Sequence, residues 1–347
     1  MSQHTHCGSG VCFIIPPHIV TQIVERSTGE RRARALESLA IAGHIRGQRA
    51  VHAQLALAVP AGEKRRTIYD AKGAQKLPGK LVRGEGDSRS QDVAVNEAYD
   101  ASGAVYDFYS KVYQRNSVDD KGLRLDSTVH YGRKYDNAFW NGQQMVYGDG
   151  DGQLFQRFTI SIDVIGHELT HGVTQYEAGL EYQDQPGALN ESMSDVFGSL
   201  VKQWVRKQTA KQADWIIGEG LLGPKVKGKG LRSMSAPGTA YNDPVLGKDP
   251  QPAHMRDYYK GTSDNGGVHI NSGIPNRAFY LAAIAIGGKA WERAGRIWYV
   301  ALRDRLRPTS EFADARAATI AAATDLYGKT SKEAKAVASA WTTVGVS

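Results

Sequence analysis

The sequence predicts an α+β protein with a β-rich N-terminal part and a mainly helical C-terminal part. Between residues 51 and about 165, stretches such as TIYDA and QMVYGDGDG combine β-branched or aromatic residues with turn residues, which is typical of short strands. One helical segment, DVAVNEAYDASGAVYDFYSKVY, interrupts them. After about residue 160, apolar residues recur at helical spacing, as in ALNESMSDVFGSLVKQWVRKQ. These two sequence patterns predict two structural parts.

The composition is that of an ordinary globular protein. The 347 residues are 41% hydrophobic and 23% charged, enough for two or three domains with a sizeable core. The net charge is +7, but Lys and Arg are scattered and no recognition motif accompanies them, so we expect no nucleic-acid partner. No apolar run reaches the roughly 18 residues that span a bilayer, so we expect no membrane association. We expect a monomer.

The N-terminal region differs from the rest. The apolar stretch GSGVCFIIPPHIV is broken by Pro16 and Pro17, has no basic residues before it and no small-residue cleavage site after it. We therefore expect no signal peptide and synthesis in the cytoplasm, with export by a route without a removable signal left open. The stretch ERRARALESLAIAGHI predicts a short helix, and RGQRA at residues 46–50 predicts a flexible connector.

Only two cysteines occur, Cys7 and Cys12. A disulfide framework is thereby excluded for the main body of the chain. The pair itself could be free thiols, a local disulfide or metal ligands.

The sharpest chemical signal is HELTH at residues 167–171. Residues four apart lie on the same face of a helix, so His167 and His171 can bind one metal ion. Glu168 can then point towards a water on that ion. Zinc suits two imidazoles and a carboxylate, with a fourth position left for water.

A third ligand is offered by NESMSD, twenty residues further on. Glu191 could reach the metal, and Asp195, one turn later, could accept a hydrogen bond from a ligand histidine and so fix its orientation.

A third cluster, DNGGVHINSG, has two glycines that permit a tight turn before His269. Asp264 could bond this histidine and raise its pKa, making it a cationic donor to a developing oxyanion.

Five motifs together resemble the thermolysin family of zinc metallopeptidases, from about residue 67 to the C-terminus. They are NAFWNGQQMVYGDGDG, HELTH, AGLEYQDQPGALNESMSD, LRSMS and DNGGVHINSG. The resemblance implies a two-domain fold in which a β-rich domain and a helical domain flank one catalytic zinc in the cleft between them. We expect a propeptide at residues 1–50, an N-terminal subdomain with the HELTH helix at 51–181 and a helical subdomain at 182–347.

The resemblance also implies roles for individual residues. His167, His171 and Glu191 resemble the zinc ligands, and Glu168 resembles the base that activates water. The pair His269 and Tyr182 resembles the oxyanion stabilisers, with Asp264 and Asp195 as the partners of His269 and of a ligand histidine. Asn137 and Ala138 resemble the edge that binds peptide backbone, and Arg232 the arginine that holds the substrate carbonyl and the zinc-ligand glutamate.

The implied substrates are proteins or peptides with a hydrophobic residue just after the cleaved bond. All residues that match the lining of the family's pocket for that side chain are apolar: Phe155, Phe158, Val164, Ile217, Leu221 and Leu231.

The sequence departs from the family at its paired calcium site. Asp163, Asp214 and Glu219 match acidic positions of that site, but Lys202 and Ile216 occupy two others. Because an ammonium group opposes a bound cation, we expect that Lys202 replaces the paired calcium as counter-ion to the three carboxylates. Whether any other calcium binds stays open.

The N-terminal region resembles that of the protealysin-like subgroup, which has a short propeptide with a Pro-Pro motif. It implies a zymogen whose propeptide covers the active site in cis and is removed near RGQRA. We expect that Phe13, Ile14 and Ile15 anchor on the catalytic domain and that Pro16 and Pro17 keep the backbone extended. A sharper option is that a Cys12 thiolate closes the fourth zinc position.

A zinc endopeptidase is therefore the expected function. Two other interpretations are a binding protein that keeps the fold without turnover, and another zinc hydrolase such as an aminopeptidase. The intact Glu168 and His269 argue against the first, and the endopeptidase-type cleft motifs argue against the second.

Overall fold

The computed structural model describes residues 13–52 and 63–347, without side chains for 43–52, and begins with a helical hairpin. Helix α1 spans Pro17–Arg26 and α2 spans Gly29–His52. Pro17 is tolerated as the first residue of α1 because the N–H it lacks would have no partner within the helix. The two helices pack against each other, and α1 turns its apolar residues inward.

Two predictions for this region are wrong. The connector expected at residues 46–50 is helical, because α2 continues to His52. Arg, Gln and Ala are good helix formers, and one glycine costs only about 1 kcal/mol, so the polar composition did not end the helix. The extended backbone expected at both prolines ends at Pro16, with φ −62° and ψ 150°, because Pro17 already belongs to α1.

A mixed sheet forms the core of the N-terminal part. Within the described residues its strand order is β2-β1-β3-β5-β4, with β1, β3 and β5 parallel and both outer strands antiparallel to their neighbours. Helix α3 (Val93–Tyr113) packs against β1 and β3, and Asp92 caps its N-terminus by accepting the Ala94 N–H at 2.8 Å. The strand bounds are Arg66–Asp70, Lys80–Arg83, Leu125–Val129, Ala138–Trp140 and Gln144–Tyr147, for β1 to β5.

Two buried helices connect the sheet to the rest of the molecule. The segment FTISIDV forms a 3₁₀ turn at Phe158–Ile160 and the first turn of α4, which spans Ile162–Tyr176. Helix α5 spans Asp184–Val205 and makes its most extensive contact with α4. Gly166 of α4 and Gly198 of α5 face each other where these helices meet. A β-carbon on Gly198 would lie 2.4 Å from the Asp163 carbonyl oxygen and 2.9 Å from the His167 nitrogen.

The C-terminal part is helical, with short two-residue strands before it. These strands are β6 to β9, at Ile216–Ile217, Arg232–Ser233, Asn242–Asp243 and Gly247–Lys248. The helices are α6 to α10, at Ser263–Asn271, Gly273–Ile286, Ala294–Asp304, Phe312–Tyr327 and Lys332–Thr343. In the parts of the chain that the structure describes, no helix is both long and apolar enough to cross a membrane.

The contact between α4 and α5 gives a first prediction. Gly198→Ala should lower the free energy of unfolding by about 1–3 kcal/mol, because the added methyl group overpacks the interface. It should also weaken zinc binding, because the overlap is with the backbone of a proposed ligand, His167. Thermal unfolding and zinc titration would measure both effects.

Gly84→Ala is the matched control, since its added β-carbon meets only the carboxylate of Asp87, at 3.2 Å. If Gly198→Ala is as stable as this control and binds zinc equally well, the close packing does not limit the distance between the helices.

Candidate metal centre and active site

His167, His171 and Glu191 converge where α4 meets α5. The Nε2 atoms of the two histidines lie 3.0 Å apart, and each lies 3.5 Å from an oxygen of Glu191. Ligand atoms about 2.0–2.1 Å from a tetrahedral zinc are roughly 3.3 Å apart, so the spacing fits this ion. Glu191 Oε2 is buried and has no hydrogen-bond partner among the described residues, as expected of an atom placed for a metal.

Hydrogen bonds at the far side of each imidazole fix its orientation. His167 Nδ1 lies 2.8 Å from Asp195 Oδ1, and His171 Nδ1 lies 2.8 Å from Asn190 Oδ1. Because both oxygens accept, each Nδ1 carries the proton and each Nε2 presents a lone pair to the metal. Asn190 is held in turn by donating to the Leu180 carbonyl at 3.1 Å. The sequence did not assign this role to Asn190, although it adjoins Glu191.

Asp195 is the centre of a buried hydrogen-bond network. Two Arg232 nitrogens donate to its oxygens at 2.8 Å each, and Asn276 Nδ2 donates at 2.8 Å. Burial alone would raise the pKa of Asp195, but Arg232 and His167 hold it well below its ordinary value. Arg232 thus donates two of its hydrogen bonds to Asp195, and the expectation that it also holds the zinc-ligand glutamate stays a prediction.

The candidate base, Glu168, is completely buried beside the triad. Its Oε2 accepts the backbone N–H of Trp140 at 3.1 Å. Trp140 is the last residue of β4, so the edge strand of the sheet orients this carboxylate. The same strand begins with Ala138, and the side chain of Asn137 accepts the Ala138 N–H at 3.0 Å. The proposed base and the proposed peptide-binding edge thus belong to one rigid element.

On the α6 side, Tyr182 and His269 face Glu191. The Tyr182 hydroxyl donates to Glu191 Oε1 and lies 3.2 Å from His269 Nε2. His269 Nδ1 lies 2.7 Å from Asp264 Oδ1. Burial alone would lower the pKa of His269, but Asp264 and Glu191 outweigh burial and raise it above its ordinary value. Residues 264–267 have left-handed backbone conformations, and the resulting turn brings the Asp264 carboxylate to the His269 ring.

The apolar residues proposed for the specificity pocket are all buried within the main hydrophobic cluster, which also contains Ile14 and Ile15. They come from the 155–158 segment, α4, β6 and the loops beside it. They are at most 2% exposed: Phe155, Phe158, Val164, Ile217, Leu221 and Leu231.

The N-terminal segment lies along the outer edge of β4. The Ile14 N–H donates to the Ala138 carbonyl at 3.1 Å, and the Ile15 N–H donates to Asn137 Oδ1 at 3.0 Å. Phe13 forms an antiparallel bridge with Phe139, with ring centroids 5.1 Å apart. Arg232 donates to the Ile14 carbonyl at 3.5 Å. Cys12, the proposed zinc-blocking thiol, lies outside the described residues.

Lys202 occupies a buried cation site between α5 and the segment before β6. Its Nζ lies 2.8 Å from both Asp163 Oδ2 and Asp214 Oδ1, and it donates to the Ile216 carbonyl at 2.5 Å. All three ammonium protons are therefore used. Burial alone would lower the pKa of Lys202, but Asp163 and Asp214 outweigh burial and raise it. Glu219, which was predicted to share Lys202, instead pairs with Arg206 at 2.7 Å.

This geometry defines a class of protein, the zinc hydrolases that use a buried glutamate beside a two-histidine, one-glutamate metal site. The chain belongs to the thermolysin family of metallopeptidases. The family model described as thermolysin metallopeptidase, catalytic domain, matches residues 59–175, and the one described as thermolysin metallopeptidase, alpha-helical domain, matches residues 178–346. The predicted fold, a sheet-containing N-terminal domain followed by a helical domain, is thereby confirmed.

Individual relatives agree with this assignment. An extracellular metalloprotease of Pectobacterium carotovorum subsp. carotovorum is 54% identical over 97% of this chain and 96% of its own length. A thermolysin of Alicyclobacillus acidocaldarius subsp. acidocaldarius is 48% identical over 80% of this chain and 50% of its own length. The solved precursor of protealysin from Serratia proteamaculans is 55% identical, with a TM-score of 0.89, over 97% of this chain and 100% of that one. The protealysin-like resemblance is confirmed.

The Lys202 site gives a second prediction. Lys202→Met should lower the free energy of unfolding by about 3–5 kcal/mol, because it leaves the buried Asp163 carboxylate without its counter-ion. The double variant Lys202→Met/Asp163→Asn should recover part of that loss, since the unpaired charge is gone. Denaturant unfolding would measure all three proteins.

Arg206→Gln is the surface control, because the Arg206 side chain is 45% exposed, and exposed ion pairs contribute about 0–1 kcal/mol. Equal losses in Lys202→Met and Arg206→Gln would show that Lys202 is not a buried counter-ion.

Proposed function

We propose that the chain is the zymogen of a zinc endopeptidase that cleaves peptides on the N-terminal side of hydrophobic residues. The observation that carries this proposal is the binding of the Ile14 N–H by the Ala138 carbonyl and of the Ile15 N–H by the Asn137 side chain, beside Glu168 and the metal triad. A peptide is thus already seated antiparallel on β4, as a substrate would be. We further propose that residues 1 to about 50 are the propeptide that provides this block in cis.

Each residue of the site has a role in peptide hydrolysis. When bound, zinc supplies a Lewis acid that polarises the substrate carbonyl and acidifies water. Asn137, Ala138 and Arg232 hold the substrate backbone, as they hold residues 14 and 15. Glu168 takes the proton from the attacking water and can return it to the leaving nitrogen.

The developing oxyanion needs donors that are already in position. Tyr182 offers a hydroxyl, and His269, whose pKa is raised, offers a cationic Nε2–H. Asp264 holds the imidazole in the orientation that this role needs.

We also propose that Lys202 takes the place of the paired calcium ions. An ammonium that uses all three of its protons on Asp163, Asp214 and the Ile216 carbonyl supports this assignment. The name of the Pectobacterium relative favours action outside the cell, and we infer export for this chain as well.

The role of Glu168 gives a third prediction. In the processed, zinc-loaded protein, Glu168→Gln should reduce kcat by about 10²–10⁴-fold, because the proton acceptor is lost. It should keep its zinc, since the ligand atoms are unchanged. Hydrolysis of a peptide blocked at both ends, with one internal hydrophobic residue, is the assay, and metal analysis gives the zinc content. A chelator should abolish wild-type activity, and added zinc should restore it.

Glu292→Gln, whose side chain is 55% exposed beside Lys289, should retain wild-type activity. If the wild type leaves the blocked peptide intact, the chain is not an endopeptidase. Hydrolysis restricted to peptides with a free N-terminus would identify an aminopeptidase instead.

His18 gives a fourth prediction, because it lies in α1 among charged groups of the cleft. Its Nε2 lies 3.2 Å from the Tyr241 hydroxyl, and its Nδ1 has no hydrogen-bond partner in the described chain. Burial lowers the pKa of His18 to about 4; Asp264 opposes this effect, whereas His269 and Arg232 add to it. A histidine in the released segment titrates near 6.5. The segment should therefore be held fully above pH 6.5 and progressively less as the pH falls towards 4.

Hydrogen exchange of the Ile14 and Ile15 amides in full-length Glu168→Gln protein would measure this release. Corrected for intrinsic exchange rates, protection should fall by about tenfold between pH 7.5 and 5.5. The additional change His18→Gln should abolish most of that fall. An equal fall in both proteins would assign the pH dependence to other groups.

A further inference from the structure

Two carboxylates lie next to the strand edge that holds residues 13–15. Asp136 directly precedes Asn137, and its Oδ1 accepts the backbone N–H of Asp151 at 2.8 Å. Asp151 Oδ1 accepts the N–H groups of Gln153 and Leu154, at 2.8 and 2.7 Å. These bonds fix the Asp151 side chain, which is only 1% exposed. Its second oxygen, Oδ2, is left for another partner.

That partner comes from the N-terminal helical hairpin. Arg34 of α2 places Nη2 3.2 Å from Asp151 Oδ2, and Arg31 donates to the side-chain oxygen of Gln153 at 2.7 Å. A guanidinium group is therefore bound at the second oxygen of Asp151. Both arginines belong to the segment whose removal is proposed above, so processing would take both cations away.

A cation at this place favours the ionised form of Asp136. Burial and the neighbouring Asp151 raise the pKa of Asp136 to about 7, even though Arg34 and Arg31 act in the opposite direction. Without the arginines, two effects that lower the pKa of Asp136 would be lost, and a substrate cation beside Asp151 would favour the ionised form of Asp136 again. Lys134 belongs to the catalytic part and also lies at this place. Its Nζ is 3.5 Å from a carboxylate oxygen of Glu30 in α2, so in the full chain it pairs with the N-terminal segment.

A cavity adjoins the contact between Arg34 and Asp151. A cavity of about 370 Å³ lies between the helical hairpin and the 151–153 loop, and Arg31, Arg34, Asp151 and Gln153 are among its lining residues. Six of its nine lining residues lie between Arg26 and Arg34, so removal of the N-terminal segment would open this place and leave Asp151, Gln153 and Lys134 at its surface.

The direction of the bound peptide decides which part of a substrate reaches this site. Residues 13 to 15 run antiparallel to β4, from Phe139 towards Asn137, so the chain approaches Asp136 as it proceeds towards its C-terminus. Glu168 is anchored at the opposite end of β4 by Trp140. Residues that follow the cleaved bond are therefore the ones that pass Asp136 and Asp151.

We propose that in the processed enzyme Asp136 and Asp151 form a subsite for a lysine or arginine side chain of the substrate, located on the C-terminal side of the cleaved bond. Arg34 occupies this subsite in the zymogen. The inference rests on the proposed endopeptidase function and adds to it a second element of specificity, a cationic residue shortly after the hydrophobic one.

The test uses the processed wild-type enzyme and blocked, internally quenched peptides. The peptides differ only at the second or the third residue after the cleaved bond, which is Lys, Gln or Glu. For at least one of the two positions, kcat/KM with Lys should exceed that with Gln by about tenfold, which corresponds to one charge-assisted hydrogen bond of about 1.4 kcal/mol. Glu should be the poorest of the three.

Asp151→Asn should bring the Lys-to-Gln ratio close to one. It removes the charge but keeps the oxygen that accepts the Gln153 and Leu154 N–H groups. Asp325→Asn, at a remote side chain that is 63% exposed, should leave the ratio unchanged. If Asp151→Asn does not fold, Asp136→Asn provides the same comparison. In the wild type, the ratio should also fall between 0.05 and about 0.5 M salt, because salt screens the ion pair.

Each outcome bears on one of the two claims. Equal kcat/KM values for Lys, Gln and Glu at both positions in the wild type would overturn the subsite while leaving the endopeptidase function intact. A Lys preference that persists in a folded Asp151→Asn variant would also overturn it, because the preference would arise elsewhere. Failure of the wild type to cleave any of the peptides would contradict the endopeptidase function itself.

Discussion

The whole site depends on how closely α4 approaches α5. Two histidines one turn apart supply only two metal ligands, and the third must come from another helix at the correct height. Gly166 and Gly198 face each other at the crossing, and a β-carbon on Gly166 would lie 3.0 Å from the Gly198 α-carbon. The ligand atoms of His167, His171 and Glu191 consequently lie within 4.8 Å of one another. A wider crossing would leave Glu191 short of the ion, and its buried carboxylate would lose a partner.

The strand β4 makes a second connection, between the chemistry and the substrate. One end of this strand orients the proposed base through the Trp140 N–H, and the other end presents Ala138 and Asn137 to a peptide backbone. Because the strand is an edge, its outer hydrogen-bonding groups are available to an added strand. The segment at residues 13–15 uses that property. The distance from a paired backbone to Glu168 is therefore set by the strand and not by a mobile loop.

Motifs that act locally could be predicted from the sequence, whereas interactions between distant segments could not. The spacing of His167 and His171 follows from helix geometry alone, and the family confirms the zinc site and the two-part fold. The bonds from Arg232 to Asp195, one helical turn after Glu191, were not predicted, because no sequence pattern distinguishes these two carboxylates. The pairing of Glu219 with Arg206 escaped prediction for the same reason. The RGQRA segment was predicted as a flexible connector because it is polar, although most of its residues favour a helix.

The N-terminal segment and the catalytic part also show how inhibition and recognition can use the same contacts. A segment in cis needs little intrinsic affinity, because the covalent connection raises its effective concentration. It can therefore tolerate a histidine such as His18, which is bound in its neutral form, and a partly exposed arginine such as Arg34. After cleavage that advantage is lost, and the same contacts must compete with substrate at ordinary concentrations. Contacts that resemble those of a substrate thus suffice to hold the attached segment. After cleavage, the same groups of the cleft are available to a peptide of similar chemistry.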